Sequence, residues 1–303
     1  MIMLKQSSPQ NLLCPACGQA TVHKFLYNKN GCDILRCNAC GLGRSKAKAF
    51  DPTAYYTAGY FSGRLRDGYA DYLGTEQVLR REFARTADFV RSSCPSGKLL
   101  EIGCAYGFFL KEAMRYFDVS GIELSDDAAA HCRQAGLNVV SGEADETNLK
   151  RFGNMDVIVM LDVVEHLRDP YATVSACAKK LNPGGIIVLT TGDFGSSLAR
   201  LTGAKWRLMT PPQHQWFFTA ESIRRWSAHQ GMKLERLDHP WKLDHPWKIV
   251  PPSLILFQLR RMVGFGFGAR PSSIRMGVPI NLFDAMRIVL RRCADHDIHL
   301  TGT

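Results

Sequence analysis

The stretch Leu99–Leu124, LLEIGCAYGFFLKEAMRYFDVSGIEL, constrains this 303-residue chain more than any other. Leu99, Leu100 and Ile102 follow the turn signal Cys94-Pro95-Ser96-Gly97 and predict a short strand. Gly103 and Gly107 bracket a tight turn. Phe108, Phe109, Leu110, Ala113, Met114 and Phe117 then recur at helical spacing. A second short strand ends in Glu123, 20 residues after Gly103. Nucleotide-binding α/β sheets use these parts in this order: glycines let the backbone approach the ligand, and a carboxylate at the next strand end reaches the ribose hydroxyls. The dinucleotide fingerprint G-x-G-x-x-G is not met, because its positions hold Gly103, Ala105 and Phe108. A phenylalanine at the third place opposes close helix–strand packing beneath a pyrophosphate. What remains is E-x-G-x-x-x-G, from Glu101 to Gly107.

The chain continues in the same alternation. Glu76–Ser92 reads as an amphipathic helix with Leu79, Phe83, Ala87 and Val90 on one stripe. Ser125 is an N-cap, with Asp126 and Asp127 in the first turn of a helix that runs to about Ala135. Leu137–Val140 reads as a third strand, and Ser141–Glu146 as an acidic loop. Met155–Leu161, MDVIVML, is the continuous apolar run of a buried parallel strand. Asp169 caps the next helix, Pro170 takes its first position, and Asn182-Pro183-Gly184-Gly185 stops it. Ile186–Thr191 is a fifth strand. Thr219 caps a helix that ends at Gly231. Strands alternating with helices predict an α/β fold with a doubly wound, Rossmann-like, mostly parallel sheet.

Cysteines mark a separate N-terminal unit. Cys14, Cys17, Cys37 and Cys40 form two C-x-x-C pairs, each followed by glycine, while the other six of the ten cysteines are scattered. Four thiolates in tetrahedral array suit a structural Zn²⁺, with Cys32 and His23 as substitute ligands. Thr21–Tyr27 and Asp33–Arg36 are expected to pair as strands between the two knuckles. The expected organisation is a zinc ribbon over 1–48, a tyrosine-rich linker or lid over 49–75, a core over 76–200 and an acceptor-side region over 201–303 that completes the sheet.

Charge is uneven along the chain. Residues 1–74 hold nine basic and four acidic side chains, residues 75–199 hold 13 and 17, and residues 200–303 hold 16 and seven, for a total of +10. Basic flanks around a mildly acidic core suit an anionic substrate, a nucleic acid or a membrane surface held by the flanks. No run of 18 apolar residues exists, and the opening MIMLKQSSPQ is too short and polar for a secretory signal, so a cytoplasmic protein is expected. LDHPWK occurs twice, at 237–242 and 243–248, and Leu254–Val263 reads as an apolar-then-basic helix covering the sheet, with a peripheral membrane contact as the lesser alternative.

EIGCAYG, GIELS, MDVIVMLDVVEHLRDP and LNPGG fall in the order and spacing of class I S-adenosylmethionine (SAM) methyltransferases, and the chain resembles that family over residues 76–200. Ala105 stands where the family usually has glycine. The paired cysteines, the segment YYTAGYF…GYADY and PPQHQWFFT resemble a subgroup with a zinc ribbon, found in sugar, polysaccharide or antibiotic biosynthesis; PINLFDAMRIVLRR resembles its last strand. The resemblance implies that Glu101, Gly103, Cys104, Ala105 and Gly107 form the cofactor loop and that Glu123 takes the ribose hydroxyls. It further implies that Leu124 packs on the adenine, that Glu143 or Asp145 takes the adenine amine, and that Asp162 faces the sulfonium side.

For an oxygen acceptor, His166 and His214 are the candidate bases, since a neutral imidazole accepts a proton near pH 7. The subgroup often reads E-H where this chain has Gln213-His214, so the choice between the two histidines stays open. The expected activity is methyl transfer to a small molecule, a sugar or sugar-nucleotide first. The alternatives are an RNA methyltransferase reading through its ribbon and basic flanks, and a non-catalytic protein that keeps the fold. An asparagine-proline-proline-aromatic motif is missing after the fourth strand, which counts against nucleic acid.

Overall fold

A computed structural model describes residues 9–46, 50–65, 68–69, 71–240 and 282–293. The N-terminal strands are β1 (Gln10–Cys14), β2 (Gln19–Lys29), β3 (Cys32–Cys37) and β4 (Gly43–Lys46). Two short helices, α1 (Pro52–Tyr55) and α2 (Ala58–Phe61), lead to α3 (Glu76–Ser93). The core runs β5 (Gly97–Ile102), α4 (Phe108–Ala113), β6 (Phe117–Glu123), α5 (Asp126–Gln134), β7 (Asn138–Ser141), α6 (Glu146–Leu149), β8 (Met155–Leu161), α7 (Pro170–Lys180) and β9 (Leu181–Gly192). After α8 (Ser197–Thr202) come β10 (Trp216–Phe217), α9 (Ala220–His229), β11 (Met232–Asp238) and β12 (Ala285–Arg292).

Seven strands form the main sheet in the order β11-β12-β9-β8-β5-β6-β7. Strands β5 to β9 pair in parallel, while β12 runs antiparallel to both β9 and β11. The chain winds outward from β5 to β7, then returns beside β5 with β8 and winds the other way. That reversal opens a crevice beyond the carboxyl ends of β5 and β8, where ligands of such sheets bind. Strand β8 occupies the centre because its side chains are apolar on both faces, and Val157, Ile158, Val159 and Met160 are fully buried.

Local chemistry sets the helix starts as expected. The side chains of Ser125 and Asp169 accept from Ala128 N and Ala172 N, and Thr219 and Ser222 form a reciprocal capping box at α9. Three boundaries differ from the sequence reading. Phe117 does not continue the helix of Phe108: α4 ends at Ala113, and Phe117 opens β6 opposite Gly97. Parallel pairing with β5 outweighs the helical spacing there. The turn residues 182–185 lie inside β9, which starts at Leu181 because that residue pairs with Met155 across a bulge. The acidic loop closes early, since Asp145 caps α6 through Asn148 N.

The N-terminal sheet has five strands, in the order β1-β2-β3-β4-β10. The β2–β3 pairing is as expected; the fifth strand, from beyond residue 200, is not a feature of the ribbon read from the sequence. Cys14, Cys17, Cys37, Cys40 and Leu42 belong to the same buried cluster as Phe218, Ile223 and Trp226 of the α9 region and Ile187 and Ile288 of the main sheet. The two sheets therefore share one core. Leu237 and Asp238 of the first LDHPWK copy lie in β11, and β12 occupies the expected last strand. The second copy and the helix read at 254–263 lie outside the described residues. Among the described residues, no helix is long and apolar enough to cross a membrane.

Candidate active site

The turn after β5 is built from unusual backbone conformations. Gly103 and Gly107 have φ of +72° and +73°, in the left-handed region that favours glycine. A Cβ on Gly103 would meet Val163 Cγ2 at 2.6 Å, and one on Gly107 would meet Leu137 Cδ1 at 2.6 Å. Ala105, between them, also lies at φ +46°, so its methyl group is carried at a strained position of about 1–2 kcal/mol. This conformation explains why glycine is the usual residue there.

Glu123 ends β6 beside that turn. The backbone N–H of Ala105 donates to its Oε2 and that of Ser125 to its Oε1, both at 2.7 Å. Burial raises its carboxyl above the ordinary value, and these backbone donors oppose the rise. Each oxygen keeps a lone pair for a further donor. Glu101, on the neighbouring strand β5, is buried; burial, then Cys132 and Glu123, push its carboxyl well above the ordinary value. One of its oxygens, Oε2, has no hydrogen-bond partner.

A cavity of about 750 Å³ opens over these strand ends. Gly103, Ala105, Glu123, Leu124, Glu143, Asp145 and Asp162 line it, while Glu101, Cys104 and Gly107 are not among its lining residues. Asp145 spends one oxygen on its helix cap. Asp162, at φ +54° after β8, is fixed by Thr190: its N–H donates to Thr190 Oγ1 at 2.9 Å, and that hydroxyl donates back to Asp162 Oδ1 at 2.8 Å.

The opposite wall is aromatic. Tyr56, Tyr60 and Phe61 of the α1–α2 segment and Tyr69 and Tyr72 after it line the cavity, mostly edge to face, with Phe61 and Tyr69 stacked. Burial, above all, raises the hydroxyls of Tyr56 and Tyr60 beyond the usual phenol range, so they stay neutral. Arg168 ties this segment down: its guanidinium is 3.1 Å from Asp51 and 3.9 Å from Glu143, across the mouth of the cavity.

His166 lines the cavity and His214 stands behind it, their rings 4.5 Å apart and nearly perpendicular. Tyr56 Oη is 2.7 Å from His166 Nδ1, and Gln213 O is 3.1 Å from the same nitrogen. A carbonyl only accepts, so the proton is assigned to Nδ1 and Nε2 is the basic atom. His214 Nδ1 likewise donates to Leu208 O at 2.7 Å. Burial pushes His166 down to about 4 and His214 to about 3, the latter also through His166. Both are neutral imidazoles near pH 7. Glu165, His166 and His214 can each bring one ligand atom within 4.8 Å of the others. The Tyr56–His166 contact and the Arg168 tie escape sequence reading: the residues are 110 and 117 positions from their partners, with no local pattern linking them.

At the far side of the N-terminal sheet, Cys14, Cys17, Cys37 and Cys40 converge and are buried. Cys14 Sγ and Cys40 Sγ are 3.6 Å apart, and Cys17 Sγ and Cys37 Sγ 3.9 Å. A tetrahedron of sulfurs at the usual zinc–sulfur bond length has an edge of about 3.8 Å.

Residues 74–237 match the sequence family described as "Methyltransferase domain". The chain belongs to that family. The methyltransferase is 28% identical over 186 residues to a ubiquinone biosynthesis O-methyltransferase of Methylococcus capsulatus, covering 57% of this chain and 76% of that one. It is 32% identical over 157 residues to an enzyme of the same name from Azoarcus, covering 46% and 66%. Its fold is shared with magnesium protoporphyrin IX methyltransferase from Synechocystis, solved with bound SAH, at a TM-score of 0.50, 13% identity and coverage of 79% and 97%. A chain from the Haloferax volcanii Trm112 methyltransferase activator complex superposes at 0.51, with 14% identity and coverage of 81% and 100%. The protein is thus a SAM-dependent methyltransferase, and the cavity residues fit that cofactor: a Gly103 cradle that a Cβ would fill and a preoriented Glu123 carboxylate.

Proposed function

We propose that this methyltransferase transfers a methyl group to a hydroxyl of a small, ring-bearing acceptor. The carrying observation is one continuous cavity that joins the Glu123 carboxylate to an aromatic wall and to His166. The names of the curated relatives point to oxygen as the acceptor atom and do not favour the sugar expected from the sequence. SAM, when bound, supplies a methyl group on a sulfonium, whose displacement by oxygen leaves SAH and a proton. Glu123 would accept from the ribose hydroxyls of that cofactor with its remaining lone pairs. The tyrosine wall aligns the acceptor and excludes water, which in-line displacement requires. His166 takes the proton at Nε2, and the nearby Asp162 charge favours the imidazolium that forms. His214 sits behind it, outside the cavity lining, and keeps the His166 ring in place.

The reading also assigns Zn²⁺ to Cys14, Cys17, Cys37 and Cys40, supported by their spacing and by the sulfur separations. The test of the activity is a panel of phenols, hydroxylated quinones and sugars incubated with methyl-labelled SAM and followed by mass spectrometry. Label on a ring hydroxyl is expected. Label on nitrogen or carbon alone, or on sugars in preference to phenols, would replace the acceptor assigned here.

A further inference from the structure

We propose that the four-cysteine knuckle positions the His166–Leu167 side of the cavity, and that Thr219 transmits its hold through the segment Gln213–Phe218. The inference rests on the zinc reading above, and concerns what the bound metal is for.

Strand β10 is gripped from two sides. On one side it pairs with β4, Trp216 opposite Arg44 and Phe217 opposite Gly43, and Ser45 N donates to Gln215 O at 2.8 Å. On the other side Gln215 N donates to Glu165 O at 2.9 Å, and the Trp216 indole N–H donates to Leu167 O at 3.0 Å. The same segment supplies Gln213 O to His166 Nδ1. A two-residue strand joining the N-terminal sheet directly to the cavity wall sets where the His166 imidazole stands. So short a strand has too few ladder bonds to hold its own place; a neighbour must hold it.

The cysteine knuckle is that neighbour. Thr219 Oγ1 donates to Cys40 O at 2.9 Å and accepts from Ser222 N at 3.0 Å, so one hydroxyl locks the knuckle to the start of α9. Cys40 and Phe218 lie in one buried cluster. With the metal bound, the Cys37–Cys40 loop is fixed through its sulfurs, and Thr219 and β4 pass that rigidity to residues 213–218. Without it the module has little core of its own, and its folding depends on the ion. The cofactor loop, Glu123 and β5 make no contact of this kind with the knuckle among the hydrogen bonds described, so SAM binding should be indifferent to it.

The test uses zinc-loaded, SAM-bound full-length protein. Thr219→Asp keeps the helix cap but, ionised, cannot donate to Cys40 O; Thr219→Ser keeps both bonds. Amide exchange is read at Ser45 and Gln215 and exchange of the indole proton at Trp216, with SAM affinity by calorimetry and zinc by metal analysis. The expected result for Thr219→Asp is a loss of protection of about tenfold or more at these sites, with protection in β5 and SAM affinity within about twofold of the parent. Thr219→Ser should behave as the parent. Removing zinc from the parent with a chelator should reproduce the Thr219→Asp pattern. Unchanged protection at Gln215 and Trp216 after chelation would overturn the proposal, as would a loss spread evenly through the molecule. If Thr219→Asp fails to fold, the chelated parent decides. A protein that binds no SAM would instead count against the activity, and one with no zinc against the metal, so the failures are distinguishable.

Discussion

Glu123 already carries two backbone donors in the cavity, so its carboxylate is aimed without help from a ligand. Replacing it with alanine removes the ribose acceptor and strands Ala105 N and Ser125 N. Glu123→Ala should weaken SAM binding by about 1.5–3 kcal/mol, the scale of a charge-assisted hydrogen bond, as read by calorimetry. Gly107 tests the turn itself. A methyl group there faces Leu137 Cδ1 at 2.6 Å and Cys132 Sγ at 2.9 Å, at φ +73°. Gly107→Ala should cost about 2–4 kcal/mol in denaturant unfolding, from overpacking together with left-handed strain. The paired histidines make stability depend on pH. His166 is held near 4 and His214 near 3, below the unfolded value of about 6.5. The unfolded chain therefore binds more protons in this window, and stability falls as the pH drops from about 6.5 towards 4. Urea midpoints across that range should show the fall, and His166→Asn should flatten it.

The α1–α2 segment shows what a cavity wall gains from aromatic rings. Phe61 packs edge-on against Tyr72 and Tyr106, with Tyr106 standing in the cofactor loop itself. Phe61→Ala should cost about 3–5 kcal/mol of core packing if the segment folds as one with the sheet. It should also raise the KM for SAM, measured in steady-state turnover, because the wall beside the cofactor loop loosens. Elements of this kind differ in how far the sequence shows them. Strands β5, β6 and β8, the Ser125, Asp169 and Thr219 caps and the paired cysteines are written in local patterns: apolar runs, cap residues, a repeated C-x-x-C. The glycine-turn side of the cavity was legible for that reason, with Glu123 and Asp162 at the ends of their strands. The aromatic side was not. Tyr56 meets His166, Gln213 meets Tyr55 and Trp216 pairs with Arg44 only after the sheet has wound back on itself. No spacing rule relates residues so far apart. Phe117 erred in the other direction: its helical spacing was genuine, and pairing with β5 outweighed it.

At the scale of the molecule, the two sheets draw on one buried cluster and are tied together at β10. Metal analysis should find about one zinc per chain, and chelation should loosen the N-terminal sheet and β10 before the main sheet unfolds, as read by amide exchange. The shared strand β10 also dictates an order of assembly. During synthesis the first four strands emerge with β4 paired to β3 on one side and open on the other, until Gln215–Phe217 leave the ribosome far later and cover Gly43–Ser45. An uncovered strand edge invites pairing with other chains. Arg44 and Lys46 on that strand act as charged guards for the interval, and the nascent chain reaches safety only once its own later residues claim the edge.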